Sequence, residues 1–278
     1  MKIDKNIHRR SFILTGLAAT PFLRVNTRAS DSKPKRINSM TDHLFRDTKS
    51  RVIRLDAKPE PISIDTARTA VIVVDMQNDF GSKGGLLDRL GMSIAEIRAV
   101  IPPTARALAA ARSAGISIVY LKMAYRPDLS DLGASDAPNR ISHLQAGVGK
   151  TVAAPNGVPS RILIRDTWNT EILDELQPKP GDVVLYKNRF SGFHQTGLDD
   201  VLKKKGIRRL IFTGCTTSVC VESTVRDAVF LDYAPVVLAD CTAEPAGFEM
   251  NHEATLTLIE KRLFGSVSNS EEFIRALK

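Results

Sequence analysis

The sequence predicts an α/β fold, a doubly wound and mostly parallel sheet in a single domain. Three observations carry this. Strand-like apolar runs alternate with helical stretches over about 200 residues, the pattern of successive βαβ units. The first run, Thr69-Ala-Val-Ile-Val-Val-Asp75, is β-branched and apolar almost throughout, as in a strand covered on both faces. No internal repeat interrupts the alternation, and 278 residues suffice for one full core.

The elements follow in order. After the strand at 69–75, a helical stretch runs from Ser93 to Ala114, interrupted at Pro102-Pro103 and ended by Gly115. Residues 116–121 make a second strand. The segment 122–166 is long, polar and rich in Pro and Gly, a length that in a folded domain marks a functional or mobile loop. Thr170–Leu176 reads as helical and Asp182–Lys187 as a third strand. A helix over Thr196–Lys205 follows, with Thr196 as N-cap. Arg208–Thr213 is a fourth strand leading into a helix from Ser218, and Ala234–Ala239 is a fifth. A helix over Asn251–Leu263 and a short strand at 264–268 close the pattern.

With 43% hydrophobic and 25% charged residues, the composition excludes collagen-like, coiled-coil, disordered and disulfide-scaffold chains. The net charge of +8 suggests nucleic acid until it is located. Residues 1–36 hold nine Lys/Arg against Asp4 and Asp31, so the body is nearly neutral and no nucleic-acid partner is expected. No apolar run reaches the roughly 18 residues of a spanning helix, so no stable membrane insertion is expected.

The basic N-terminus has the order of an export signal: Arg9-Arg10-Ser11-Phe12-Ile13-Leu14, a modest apolar stretch to Leu23, and small residues at Ala29-Ser30. The arginine pair resembles a twin-arginine signal, which implies the twin-arginine export machinery as a partner of the precursor. The domain reading is therefore a signal peptide over 1–29, an N-terminal extension over 30–67 and the α/β domain over 68–278. The expected location is periplasmic or secreted, with cytoplasmic as the alternative if the segment does not act as a signal. Three cysteines, Cys215, Cys220 and Cys241, leave at least one thiol unpaired within the chain. No zinc-like spacing surrounds them.

In a doubly wound sheet, ligands bind beyond the carboxyl ends of the strands. There the sequence places Asp75 after the first strand, Lys187 at the end of the third and Gly214-Cys-Thr-Thr-Ser-Val-Cys220 after the fourth. An acid, a base and a thiol thus converge on one rim. A cysteine at a helix start is expected to have a lowered pKa, and the N–H groups there suit an oxyanion. Asp75 would exchange a proton with the thiol and the leaving amine, and Lys187 would hold both anions in place. Together these describe nucleophilic hydrolysis of an amide or ester. Taken singly, each has a plainer reading: Cys220 as a small core residue, Asp75 as a cap, Lys187 as a solvated strand-end charge.

Two segments, Val71-Ile-Val-Val-Asp75-Met-Gln77-Asn78-Asp79-Phe80 and Gly214-Cys-Thr-Thr-Ser-Val-Cys220-Val-Glu-Ser-Thr-Val-Arg226-Asp227-Ala228, resemble the signatures of the isochorismatase-like cysteine hydrolases. The resemblance covers about 68–270. It implies a three-layer Rossmann-like fold, an Asp75–Lys187–Cys220 triad and a non-proline cis peptide at Cys215–Thr216 that turns the Thr216 N–H, with that of Cys220, toward the oxyanion. Asp166-Thr-Trp168-Asn169, the run to Gly181-Asp182, and Lys187-Asn-Arg189-Phe190-Ser191-Gly192-Phe193 look most like the ureidoacrylate amidohydrolase and biuret hydrolase branch.

That branch cleaves a ureido or carbamoyl C–N bond through an acyl-enzyme, so the expected partner is a small amide or ureido substrate. The branch acts inside the cell, which an export signal would contradict. Asn78, Phe80, Trp168, Asn169, Phe190 and Phe193 are the implied pocket residues, with core packing an equal reading for half of the aromatics, and Glu244 is a candidate to favour an amide over an anion. Nicotinamidase members hold a metal through Asp-x-His; here His143 lacks that partner, so neither metal nor other cofactor is expected. Relatives are usually dimers or tetramers, which implies a homo-oligomer. The alternatives are isochorismatase-type vinyl ether hydrolysis, which does not use the cysteine, and a non-catalytic exported binding protein that kept the thiol.

Overall fold

The run at Thr69–Val74 becomes the strand β3, buried along its whole length, and its period-2 alternation divides two cores. Val71 and Val73 face one side; Ala70, Ile72 and Val74 face the other. Each fully buried valine contributes about 1.5–3 kcal/mol relative to exposure, so the run decides where the sheet lies. The structure, a computed structural model, describes residues 50–262 and 264–278. The signal reading over 1–29 and most of the 30–67 extension lie outside the described residues.

Six parallel strands form the main sheet in the order β10-β9-β8-β3-β4-β7. Beside β3, β4 is Ser117–Met123 and β7 is Val183–Lys187; on the other side β8 is Arg209–Cys215, β9 Ala234–Ala243 and β10 Ser266–Ser268. Helices α4 (Ile101–Ser113) and α9 (Ser270–Leu277) pack on one face through Ala107, Leu108, Ala111, Phe273 and Leu277. On the other face α6 (Leu198–Lys204), α7 (Glu222–Phe230) and α8 (Glu249–Lys261) bury Leu198, Leu202, Val225, Ala228 and Ile259. This is the expected doubly wound, three-layer arrangement.

Several local expectations need correction. The stretch 93–114 is two helices, α3 (Ala95–Ala99) and α4, broken at Val100. Pro102 and Pro103 fall in the first turn of α4, where no intrahelical N–H is lost. Thr170–Leu176 is not an α-helix but two single turns, Trp168–Thr170 and Asp174–Leu176. Between them the chain is held extended, with Asn78 N donating to Glu171 O at 2.9 Å and Leu173 N to Met76 O at 3.0 Å.

The 122–166 segment is ordered. It carries α5 (Pro138–Gln145) and the hairpin β5–β6 (Thr151–Ala153, Pro159–Arg161), and its Val148, Ile162 and Leu163 share a small core with Leu86 and Met123. Helix α9 was not anticipated, although Asn269 accepts from Glu272 N at 2.8 Å in a legible capping pattern. Upstream, the described part of the 30–67 extension is not a loose lead-in. Strands β1 (Val52–Leu55) and β2 (Ile62–Asp65) pair antiparallel and bury Leu55 and Ile64 in the α4/α9 core.

Gly214 marks where β8 breaks register on its way to the cysteines. Its φ is +113°, and a Cβ there would sit 2.0 Å from the Val74 carbonyl oxygen. Only glycine lets β8 and β3 approach this closely at the rim.

Candidate active site

Three strand ends supply the reactive groups. Asp75 follows β3, Lys187 ends β7, and Cys220 lies in a wide turn over Thr217–Val221 that feeds α7. Strand β4 separates β3 from β7, so the acid and the amine start about 10 Å apart, two inter-strand spacings. The lysine stem spans that gap beneath Met123, its Nζ 3.6 Å from the Met123 Sδ, and reaches Asp75 Oδ2 at 2.8 Å. Asp75 itself is left-handed (φ 53°), a conformation Asp tolerates better than most residues. Its N–H donates to Leu121 O at 2.9 Å, which anchors the backbone as the chain turns.

Both partners of the pair are buried, and Cys220 is 7% exposed. The thiol lies beside both, close enough for the Lys187 and Asp75 charges to act on it. Burial pushes the Asp75 carboxyl above its usual range, against the pull of Lys187. For Lys187 burial works toward neutrality, but the charges of Asp75 and Cys220 outweigh it and hold the amine above an ordinary lysine. Burial pushes the Cys220 thiol up to about 12, with Lys187 opposing. This corrects the expectation of a lowered thiol pKa. The helix start is there, but a nearly water-free setting disfavours the thiolate more than the turn and the amine favour it. The free site is a thiol beside a lysine–carboxylate pair.

The Cys215–Thr216 peptide is cis, as the resemblance implied. Val219 N and Val221 N both donate to the Thr216 carbonyl, which fixes the turn that carries Cys220. Cys215 is buried and its Sγ donates to the Asp75 carbonyl at 3.4 Å. Cys220, Thr216 and Val219 open into a cavity of about 260 Å³ whose other walls include Phe80, Met123, His143, Leu163 and Phe190.

Residues 69–272 match the isochorismatase domain. The chain belongs to the isochorismatase family. Among curated relatives, a ureidoacrylate amidohydrolase RutB of Methylorubrum extorquens strain DM4 is 43% identical over 235 residues, covering 84% of this chain and 93% of that protein. Its counterpart in Yersinia enterocolitica is 41% identical over 223 residues, covering 80% and 95%. A cysteine hydrolase from Pseudomonas syringae pv. phaseolicola superposes with a TM-score of 0.65 at 32% identity, covering 77% of this chain and 94% of that one. N-carbamoylsarcosine amidase from Thermoplasma acidophilum gives 0.56 at 26%, covering 73% and 97%.

Within this isochorismatase-family site, the other sequence candidates separate. Phe80 and Phe190 line the cavity. Asn78 and Trp168 do not. They are tied to each other, Asn78 Nδ2 donating to Trp168 O at 2.8 Å, and they line a second cavity of about 760 Å³ that does not reach Cys220. Asn169 is fully buried, donating to Asp79 Oδ1 at 2.5 Å, so it supports the wall without forming it. Phe193 turns into the core and stacks on Tyr233 at 5.7 Å. Glu244 faces a third cavity with His252, and it accepts from Ser218 N at 2.5 Å. It braces the nucleophile turn and contacts no substrate space at Cys220.

Three residues were missed or left unassigned. Gln77 clamps the rim through Met123, Asp79 ties Leu86 N and Leu163 N together, and His143 stands in the cavity wall. The signal for the first two was their place in a polar run, Gln77-Asn78-Asp79, directly after an apolar strand. Among the described residues, no group of three or more His, Cys, Asp and Glu is placed to hold a metal ion.

Proposed function

We propose that this chain is a cysteine amidohydrolase that cleaves the C–N bond of a small amide or ureido compound. The observation that carries the reading is the buried Lys187–Asp75 pair, 2.8 Å apart, beside Cys220, whose thiol opens into a cavity. The curated relatives named as amidohydrolases support it.

As substrate enters, Cys220 Sγ attacks the carbonyl carbon and its proton passes to the Asp75 carboxylate. The carbonyl π electrons move to oxygen, and the oxyanion rests on the Thr216 and Cys220 N–H groups. The tetrahedral adduct collapses, the C–N bond breaks, and Asp75 returns the proton to the departing nitrogen. Water then adds to the thioester with Asp75 taking a proton. Expulsion of sulfur releases the acid, and the proton goes back to the thiol. Lys187 keeps Asp75 ionised at the start of each half-reaction, which offsets the cost of burial.

The test is ammonia release from a panel of ureido compounds and linear amides by the wild-type protein and Cys220→Ala. Turnover lost in the variant and a substrate-derived mass on wild-type Cys220 support the scheme; an active Cys220→Ala protein would sink it.

The paired Arg9-Arg10 supports a second part of the proposal, export of the folded protein with removal of residues 1–29. N-terminal sequencing of the periplasmic fraction checks it, and a cytoplasmic protein that keeps its arginine pair speaks against it. Homo-oligomer formation is proposed on the exposed apolar side chains Phe230 and Met250, 71% and 82% accessible, and is read by light scattering.

A further inference from the structure

The cavity at Cys220 has a chemical character that its relatives' names do not suggest. Its walls include Phe80, Leu86, Leu87, Met123, Leu163 and Val219, and none of the residues lining it is Lys, Arg, Asp or Glu. The nearby cations are engaged elsewhere. Lys187 is paired with Asp75, and Arg189 donates to the carbonyls of Asp131 and Asn188.

The polar groups of the wall are few and neutral. His143 Nδ1 lies 2.6 Å from the Asn139 carbonyl, so Nδ1 carries the hydrogen and Nε2 is left as an acceptor. Burial lowers the pKa of this imidazole, with the charges of Lys187 and Arg189 acting in the same direction. The Asn139 carbonyl opposes the shift, and the ring packs against Tyr125 edge-on at 5.4 Å and Phe190 at 5.7 Å. At neutral pH it is an uncharged hydrogen-bond acceptor. A ligand carboxylate entering here would give up its hydration and find no cationic side chain on the cavity wall to pair with. An apolar group would gain from the same walls. A cavity of about 150 Å³ accommodates benzene, so 260 Å³ holds a small apolar substituent together with the reacting carbonyl.

We infer that this site selects uncharged ureides or amides carrying a compact apolar substituent and discriminates against carboxylate-bearing ones. The inference rests on the hydrolase reading for its reaction and on the cavity walls for its specificity. The two are separable by experiment.

Isopentylurea and 3-ureidopropionate match in shape, with an isopropyl group in one where the other has a carboxylate. Binding of each to the Cys220→Ala protein is measured by calorimetry, and turnover of each by the wild type through ammonia release. The expected result is a Kd for isopentylurea at least about tenfold lower than for the acid, with the same order in kcat/KM. Ala146→Arg, which sets a cation at the cavity wall, is expected to bring the two ligands level or reverse them. Equal or tighter binding of 3-ureidopropionate by the Cys220→Ala protein, or no binding of isopentylurea, overturns the inference. Wild-type preference for the acid with turnover lost in Cys220→Ala overturns it too, and leaves the hydrolase reading standing. Selective binding of isopentylurea without turnover of either compound upholds the inference and counts against the hydrolase.

Discussion

The side-chain amide of Gln77 donates to the Met123 carbonyl and accepts from the Met123 N–H, each at 2.9 Å, so it acts as one more rung of the β3–β4 ladder beyond the last paired residues. The residue two before it is Asp75, and Met123 is the residue Lys187 passes on its way to that acid. One buried amide thereby fixes the spacing across which the ion pair is made.

Gln77→Glu sets a carboxylate oxygen against the Met123 carbonyl and buries a charge without a partner. The expected loss is about 2–3 kcal/mol of stability, read by urea denaturation with an unchanged m-value, together with a fall in kcat/KM. Gln77→Leu is expected to lose less, since it leaves two unpaired backbone groups but no charge. Wild-type stability in both variants would mean that the clamp holds nothing.

Lys187→Met removes the cation that keeps the buried Asp75 carboxyl ionised. Its pKa, already raised by burial, then rises further. Asp75 must be ionised to take the thiol proton, so the acid limb of kcat/KM moves to higher pH. Turnover at neutral pH is expected to fall by about 10²–10⁴, the usual worth of a positioned proton carrier. A variant with an unshifted profile and normal turnover would remove Lys187 from the chemistry.

How much of this was legible beforehand follows from the physics of each residue. The buried strands announced themselves because a β-branched run such as Val71–Val74 has few alternatives, and the parallel rim then placed Asp75, Lys187 and Cys220 together. What stayed hidden was side-chain direction. Nothing in the spacing of Phe193 tells that its ring faces Tyr233, or that Glu244 reaches back to Ser218. Trp168 and Asn169 sit in the expected loop, yet hydrogen bonds to Asn78 and Asp79 turn that loop away from the thiol. The raised pKa of Cys220 depended on burial, which only the packed 122–166 segment reveals.

Asp79 predicts a pH dependence of stability. Burial pushes its carboxyl up from 3.8 to about 7, although Leu86 N, Leu163 N and Asn169 Nδ2 all donate to it. The folded state therefore binds this proton more tightly than the unfolded chain. The resulting stabilisation is complete below about pH 4 and is lost as pH rises toward 7, by up to about 4 kcal/mol. Compared with Asp79→Asn, which has no such proton, the wild type should weaken between pH 4 and 7.5 in denaturation measurements. Parallel curves for the two proteins would contradict this.

The thiol itself gives the last prediction. Burial holds Cys220 at about 12, above the ordinary range of a cysteine, so little thiolate exists at neutral pH before substrate binds. Iodoacetamide should then alkylate Cys220 at pH 7.5 more slowly than it alkylates free cysteine, with a rate that keeps climbing past pH 9. Cys215 and Cys241 are buried as well, and burial raises their pKa values too, so peptide mapping after brief exposure is needed to assign each adduct. Lys187→Met should slow the Cys220 reaction further, because Lys187 opposes the burial effect on this thiol. Rapid alkylation that levels off near pH 7 would mean the opposite balance, with the turn at Thr217–Val221 and the Lys187 charge stabilising a standing thiolate. The first proton transfer to Asp75 would then precede substrate binding instead of accompanying attack.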